Sequence, residues 1–292
     1  MNYWDRQYRL TVGDVVIDSR ESDKPLQLSF SVNINQGNTV TLASIAVANL
    51  APSTKAKMTE RNLPVTFECG YAENFGEVFS GVLNFAEEDT SRRPDLYTVF
   101  WCHSNLDRIR DAVADLSFGD GTPWLDVITD TALKINGNVK TFGNFPADEK
   151  VLFGYKTRKG AREELDYLAK EHGFKWIDYD SELVIVKDGF TVSDRVYEFS
   201  PDSGLVGNVK IGHEGIHADV LMTPGLKINT SVILKPASFT LNVDNPFFNV
   251  ALPYISDSGE YTIRDITHSG DFYDGEWVTS IRTMPFGEAN EE

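Results

Sequence analysis

Residues 64–103 read PVTFECGYAENFGEVFSGVLNFAEEDTSRRPDLYTVFWCH, and this stretch decides the fold. Val65, Phe67, Cys69 and Tyr71 alternate with Thr66, Glu68 and Gly70, the two-residue period of a strand with one buried face. A loop at 72–76 leads to a second strand at 77–85. A charged turn at 87–94 then brings the chain back through Leu96, Tyr97, Thr98, Val99, Phe100, Trp101 and Cys102. That last strand is apolar on both faces. Tyr97, Val99 and Trp101 lie on one, and Leu96, Phe100 and Cys102 on the other. A strand of this kind is covered twice, by its own core and by further chain or another subunit. We expect Tyr97, Val99 and Trp101 in the domain core, with the opposite face covered by further chain or a neighbouring subunit.

Upstream the same grammar repeats. Tyr8 to Val12 and Val15 to Asp18 flank Gly13-Asp14, the two-residue turn of a hairpin. Strands follow at 26–32 and 40–48, then the turn formers of 49–54 and a single helical turn at 55–61. Residues 1–107 therefore read as one mostly antiparallel β-domain. Composition changes at 108–200. Thr122 and Pro123 start a helix whose stripe is Leu125, Ile128, Ala132 and Ile135, and Asn136-Gly137 stops it. A second helix at 159–172 ends at Gly173, and a hairpin follows at 174–186 around Asp180-Ser181. This region reads as an α+β insert. From 201 to 286 strands return at 206–211, 216–222, 231–235, 239–243, 260–268 and 277–284, with turns at 212–215 and 269–275. Residues 287–292 form a tail.

The two β-regions share a plan. Gly76-Glu77 opens a long strand that turns at an aspartate and returns with a tryptophan, and Gly259-Glu260 does the same. The expected fold class is mainly β, with two tube-like β-barrel or sandwich domains around an inserted small α+β domain.

A net charge of −17 argues against gripping nucleic acid, because a phosphate-binding surface is basic. No run approaches the roughly 18 apolar residues of a membrane span, and Met1 to Arg6 lacks the apolar core of a signal peptide. Cys69 and Cys102 both sit at apolar strand positions and read as buried free thiols; whether they lie close together is open.

His213-Glu214-Gly215-Ile216-His217 matches H-E-x-x-H, whose zinc chemistry needs both imidazoles on one helical face. Gly212 and Gly215 disfavour a helix by about 1 kcal/mol each. Ile216, Ala218, Val220 and Met222 then alternate with His217, Asp219 and Leu221, so the segment enters a strand and 212–215 reads as its turn. A zinc hydrolase on His213, Glu214 and His217 is thus one alternative. A β-rich carbohydrate-binding or adhesion module using Trp4, Phe247 and Tyr273 is the other. His103, His172 and His268 are scattered, and Asn229-Thr230-Ser231 is a formal glycosylation sequon. No phosphate loop or nucleophile elbow is present in the sequence, so the expectation is no catalytic residues, no cofactor and no metal.

Three segments resemble the central baseplate hub proteins of contractile-tailed phages. Ile45-Ala46-Val47-Ala48-Asn49-Leu50, then Val65 to Tyr71 and Phe79-Ser80-Gly81, are similar to the family's Asn-Leu, Gly-Tyr and Phe-x-Gly strand ends. Leu205-Val206-Gly207 through Gly215-Ile216 to Met222-Thr223-Pro224 is similar to its Gly-Ile turn and Leu/Met-x-Pro. Gly259-Glu260-Tyr261 through His268-Ser269-Gly270-Asp271 to Trp277-Val278-Thr279 resembles its final hairpin, where His-Ser-Gly-Asp is a turn. The likeness at 108–200 is generic. The resemblance implies a non-enzymatic virion protein of the tail baseplate, assembled in the host cytoplasm as a homotrimer. Its partners would be a tail tube or tube-initiator protein, a spike protein, the tape-measure protein and other baseplate proteins. DNA would only pass through the lumen, and no membrane insertion is implied. Type VI secretion spikes and R-type bacteriocins would share the plan. Leu96, Phe100, Phe247 and Phe248 are the expected assembly-interface residues.

Overall fold

Period-2 alternation dominates both ends of the chain, and the strands it produces join into one 14-stranded sheet among the described residues. The computed structural model describes residues 5–35, 40–104, 106–157, 160–179, 181–192, 196–212, 215–241 and 259–285. Two units result, one from Met1–Ser104 with Ser193–Glu288 and the other built on Asn105–Val192.

The first part of the sheet unit supplies β1 (Arg6–Val12), β2 (Val15–Asp18), β3 (Leu28–Asn35) and β4 (Leu42–Ala48). Helix α1 (Pro52–Met58), β5 (Pro64–Tyr71), β6 (Asn74–Asp89) and β7 (Tyr97–His103) follow. Then comes the second unit, with α2 (Leu106–Asp111), β8 (Ser117–Phe118), α3 (Trp124–Ile135), β9 (Val139–Phe142) and β10 (Tyr155–Lys156). It ends with α4 (Ala161–His172), β11 (Phe174–Asp178) and β12 (Leu183–Lys187). The chain re-enters the sheet through β13 (Tyr197–Phe199), β14 (Leu205–Gly212), β15 (Gly215–Leu221) and β16 (Ser231–Leu234). β17 (Phe239–Leu241), β18 (Glu260–Asp271) and β19 (Trp277–Pro285) complete it.

The mainly β class and the α+β insert are as the sequence implies. Two blocks of the sheet repeat one topology. In the first, the spatial order is β3-β4-β7-β6-β5; in the second it is β14-β15-β19-β18-β16, every neighbour antiparallel. A local device repeats with it. Asn62 donates its N–H to Leu83 O, and Leu83 donates to Leu63 O; Asn229 donates to Ile263 O, and Ile263 to Thr230 O. Both asparagines have φ of 63°, a left-handed conformation that asparagine tolerates better than most residues. One residue later each hairpin carries a bulge, between Leu83 and Phe85 and between Ile263 and Asp265.

This device sets the register of the repeat and corrects the sequence alignment. Counting back from Leu83 and Ile263, Gly259 corresponds to Phe79 rather than to Gly76. Trp277, opposite Gly270, takes the place of Leu96 rather than of Trp101. The blocks are joined edge to edge, because β3 also pairs with β18. The sheet then folds back on itself. Phe30 meets Phe67 at 4.7 Å and Trp277 at 5.1 Å, and Tyr8 meets Phe272 at 4.9 Å, so β1 and β5 close over β3, β18 and β19. Arg6 locks the closure through its guanidinium bonds to Asp271 O and Gly275 O.

Two local expectations fail for packing reasons. β6 takes in both residues 74–76 of the expected loop and Glu87 to Asp89 of the expected turn, because β5 pairs with its first half and β7 with its second. His268, Ser269, Gly270 and Asp271 lie in β18, not in a turn. Gly270 stands there because a Cβ would lie 2.5 Å from the Trp277 ring.

In the second unit α3 begins at Trp124, with Pro123 as its cap; Thr122 instead donates to Gly119 O. Val127, Ile128, Thr131, Ala132 and Ile135 are buried, while Leu125 is only half-buried. Gly173, at φ 58°, ends α4 and donates to Ala169 O. The three-stranded sheet β11-β12-β9 holds the fully buried Asp178, which accepts from Arg108 at 2.7 Å and Asn136 at 2.8 Å. Removing one partner of such a group strands a buried charge, which is why all three come together.

Candidate assembly surfaces

The outward face of β7 is the reverse of the expected one. Phe100 is wholly buried and Cys102 nearly so, beside Ile45 and Ala43 of β4 and Leu83 of β6. Trp101 is 41% exposed. Its indole stacks on Phe85 at 6.1 Å and donates Nε1–H to Glu87 at 2.9 Å, so it keeps a polar handle in water. Tyr97 is buried, with Ala46 and Ala48, in a small cluster on the same side as Val99. β4 decides the choice: it turns Ile45 and Val47 inward and the smaller Ser44 and Ala46 outward.

Of the expected interface residues, Phe100 is therefore spent on the chain's own core and offers no surface. Leu96 stands 45% exposed just before β7. Phe247 and Phe248 lie outside the described residues, as do His213, Glu214, Trp4 and Asp180.

The corresponding face of the second block has different chemistry. Where the first block carries exposed Phe85 and Trp101 beside half-buried Val99, the second carries Asp265, Arg282 and Ser280 in a polar groove shared with Lys210, His217, Asp219 and Thr267. Arg282 pairs with Asp265 at 3.4 Å, and Ser280 donates to Asp219 at 2.6 Å. One fold element thus presents an apolar stripe in one block and an ion-paired surface in the other.

Gly212 faces Gly215 across a β14–β15 hairpin, as the sequence reading expects, and His217 lies on β15. That places it on a strand, not on the helix H-E-x-x-H needs. Among the described residues no three metal-ligating side chains converge. Tyr273 donates its hydroxyl to Pro25 O at 2.7 Å and packs edge-on against Phe272. Asn229 and Thr230 of the sequon are buried.

Both thiols are buried and free. Cys69 faces Gly76 and Cys102 faces Leu83 along β6, a separation of about 20 Å at the rise of a strand. Burial pushes the Cys69 thiol well up and that of Cys102 up to about 12. Native protein should therefore react with neither thiol when a chromogenic disulfide reagent is added at pH 8, and with both in denaturant. Rapid native labelling would contradict the burial of β5 and β7.

The fold is similar to those of solved phage tail proteins and of a type VI secretion component. The 43 kDa tail protein of prophage MuSo2 from Shewanella oneidensis superposes with a TM-score of 0.60 at 13% identity, over 96% of this chain and 97% of that one. A tail protein from Neisseria meningitidis MC58 gives 0.57 at 10% identity, over 97% and 98%. An Escherichia coli protein, described as a component of the type VI secretion system with structural similarity to T4 tail proteins gp27 and gp5, gives 0.55 at 12% identity, over 96% and 77%. No family profile and no curated protein matches the sequence.

Proposed function

We propose that the chain is a structural, non-enzymatic component of a tail-like injection machine: the baseplate hub that joins a sixfold tail tube to a threefold spike. The observation that carries this reading is the repeated topology. A chain with two blocks of one strand order presents two similar surfaces, so three copies in a ring present six. Differences between the blocks fit that arrangement, because each meets different neighbours. The tail-protein fold supports the same class of machine.

In this reading the chain is part of the phage virion, assembled in the host cytoplasm, and its three copies surround a channel. A net charge of −17 suits a wall along which DNA slides without sticking. Tube or tube-initiator, spike and tape-measure proteins are its partners. Leu96 and the Phe85–Trp101 stripe are the surfaces proposed to meet them. Residues 1–107, 108–200 and 201–286 are the proposed domains.

Light scattering on the purified chain tests the reading. The expected mass is three times the 32.7 kDa of one chain. A monomer at every soluble concentration would remove the ring.

A further inference from the structure

Residues 148–152 of the second unit are laid against the start of α3 by backbone bonds. Gly121 donates its N–H to Val151 O at 2.9 Å, Val151 to Thr122 O at 2.8 Å, and Trp124 to Glu149 O at 3.1 Å. The end of α4 forms the opposite wall, where the His172 ring lies 4.5 Å from that of Trp124. Between them is an open cleft of about 620 Å³, within the size range of ligand sites. Its charge is lopsided: Asp148, Glu149 and Glu171 line it against Lys150. His172 adds no positive charge at neutral pH, because burial lowers its pKa, and the Lys187 ammonium is engaged by His172 O.

The edge of the cleft is apolar. Leu152 lines it, and Phe153 follows with 98% of its surface exposed. Phe153 has φ of 63° and Gly154 has φ of 82°. A bulky residue rarely takes this left-handed conformation, and strain of that kind collects where a chain meets a ligand. At such exposure the phenyl ring gains nothing from the chain's own core, so both the strain and the exposed ring are offset only when something else covers them. The carboxylates beside the ring disfavour a lipid surface, whose anionic headgroups repel them, and favour a cationic protein segment.

We propose that this cleft receives an arginine or lysine of a partner protein, with apolar neighbours of that residue covering Leu152 and Phe153. The cation lies against Trp124, whose ring attracts it, and pairs with the Glu149 and Glu171 carboxylates. The exposed phenyl ring is the anchor that excludes water from the pair. This assigns the second unit a docking role of its own and does not depend on the ring reading, because the whole cleft lies within one chain.

The test uses the full chain with ¹⁵N-labelled tryptophan and follows the Trp124 indole N–H resonance, assigned with Trp124→Phe. The probes are the acetylated, amidated tripeptides Leu-Arg-Leu and Leu-Lys-Leu. Either should shift that resonance saturably at millimolar concentration, in monomer and trimer alike, and Leu-Glu-Leu should not. Joint replacement Glu149→Gln and Glu171→Gln, at two exposed side chains, should weaken binding about tenfold. Phe153→Gly relieves the left-handed strain, so it should leave stability equal or higher while still weakening binding. No saturable shift with either cationic tripeptide would overturn the proposal, as would an equal response to Leu-Glu-Leu or full affinity in the Glu149/Glu171 variant. A shift with chitotetraose in place of the tripeptides would reassign the cleft to a saccharide. Retention on phosphatidylcholine–phosphatidylglycerol vesicles that Phe153→Gly abolishes, without tripeptide binding, would reassign its edge to lipid.

Discussion

Trp277→Ala is expected to destabilise the sheet unit by about 3–5 kcal/mol, the range for emptying a large aromatic site in a packed core. Trp277 is 2% exposed. Its ring meets Phe30 at 5.1 Å and Phe272 at 6.3 Å, Arg6 lies over it at 5.7 Å, and Gly270 leaves it room. It therefore sits where β1 and β5 close over β18 and β19, and the cavity would open between layers that cannot collapse independently. The measurement is the denaturant midpoint at constant slope. Trp101→Ala is the control: with 41% of its surface exposed, it should cost about 1 kcal/mol or less. Equal losses at the two tryptophans would reject the facing of β7 described above.

The second large effect is a dependence of stability on pH through His268. Its ring is 1% exposed, and its Nδ1 lies 2.9 Å from Thr279 Oγ1. Burial, which disfavours the imidazolium, lowers its pKa from 6.5 to about 4. The folded state therefore holds the ring neutral while the unfolded chain protonates it. Stability from this group is complete above pH 6.5, falls as pH drops through the window from 6.5 to about 4, and levels off below it. Over that window the loss is of order 3 kcal/mol. His268→Gln keeps a polar group within reach of Thr279 and removes the titration, so its stability should be flatter from pH 6.5 to 4. A slope identical to that of the unmodified chain would mean that His268 is not held neutral in the core. Asp18 has the same sign for a different reason. The Arg20 side chain holds its carboxylate below the usual range, so its contribution disappears only in stronger acid.

Much of this architecture is legible in the residues. Alternation at Val65, Phe67, Cys69 and Tyr71 marks β5, Gly13-Asp14 marks the first hairpin, and Gly173 marks the end of α4. Gly212 and Gly215 remove the helix that H-E-x-x-H would require. These signals are local: each depends on the side-chain period or on backbone freedom within a few residues. The candidate surfaces are less legible. Phe100 and Trp101 are adjacent, both aromatic and both acceptable on either side of a strand. Nothing within residues 96–102 says that one is buried completely while the other stacks on Phe85 in water. The repeat is visible as two long hairpins, but its register is not. Gly76 and Gly259 look alike in sequence, while the true anchors are Asn62 and Asn229, which form their paired bonds only once Leu83 and Ile263 arrive.

The sequence by itself determined that strands would dominate, where most of them would run, and that an α+β segment would interrupt them. Side-chain period and turn chemistry are written residue by residue. Only the tertiary structure decided which face of β7 is core and which residues of the two blocks correspond. Those depend on pairing between segments far apart in the chain, β3 with β18 above all. A strand apolar on both faces carries no local preference for either side; the side chains that β4 and β6 bring beside it supply one.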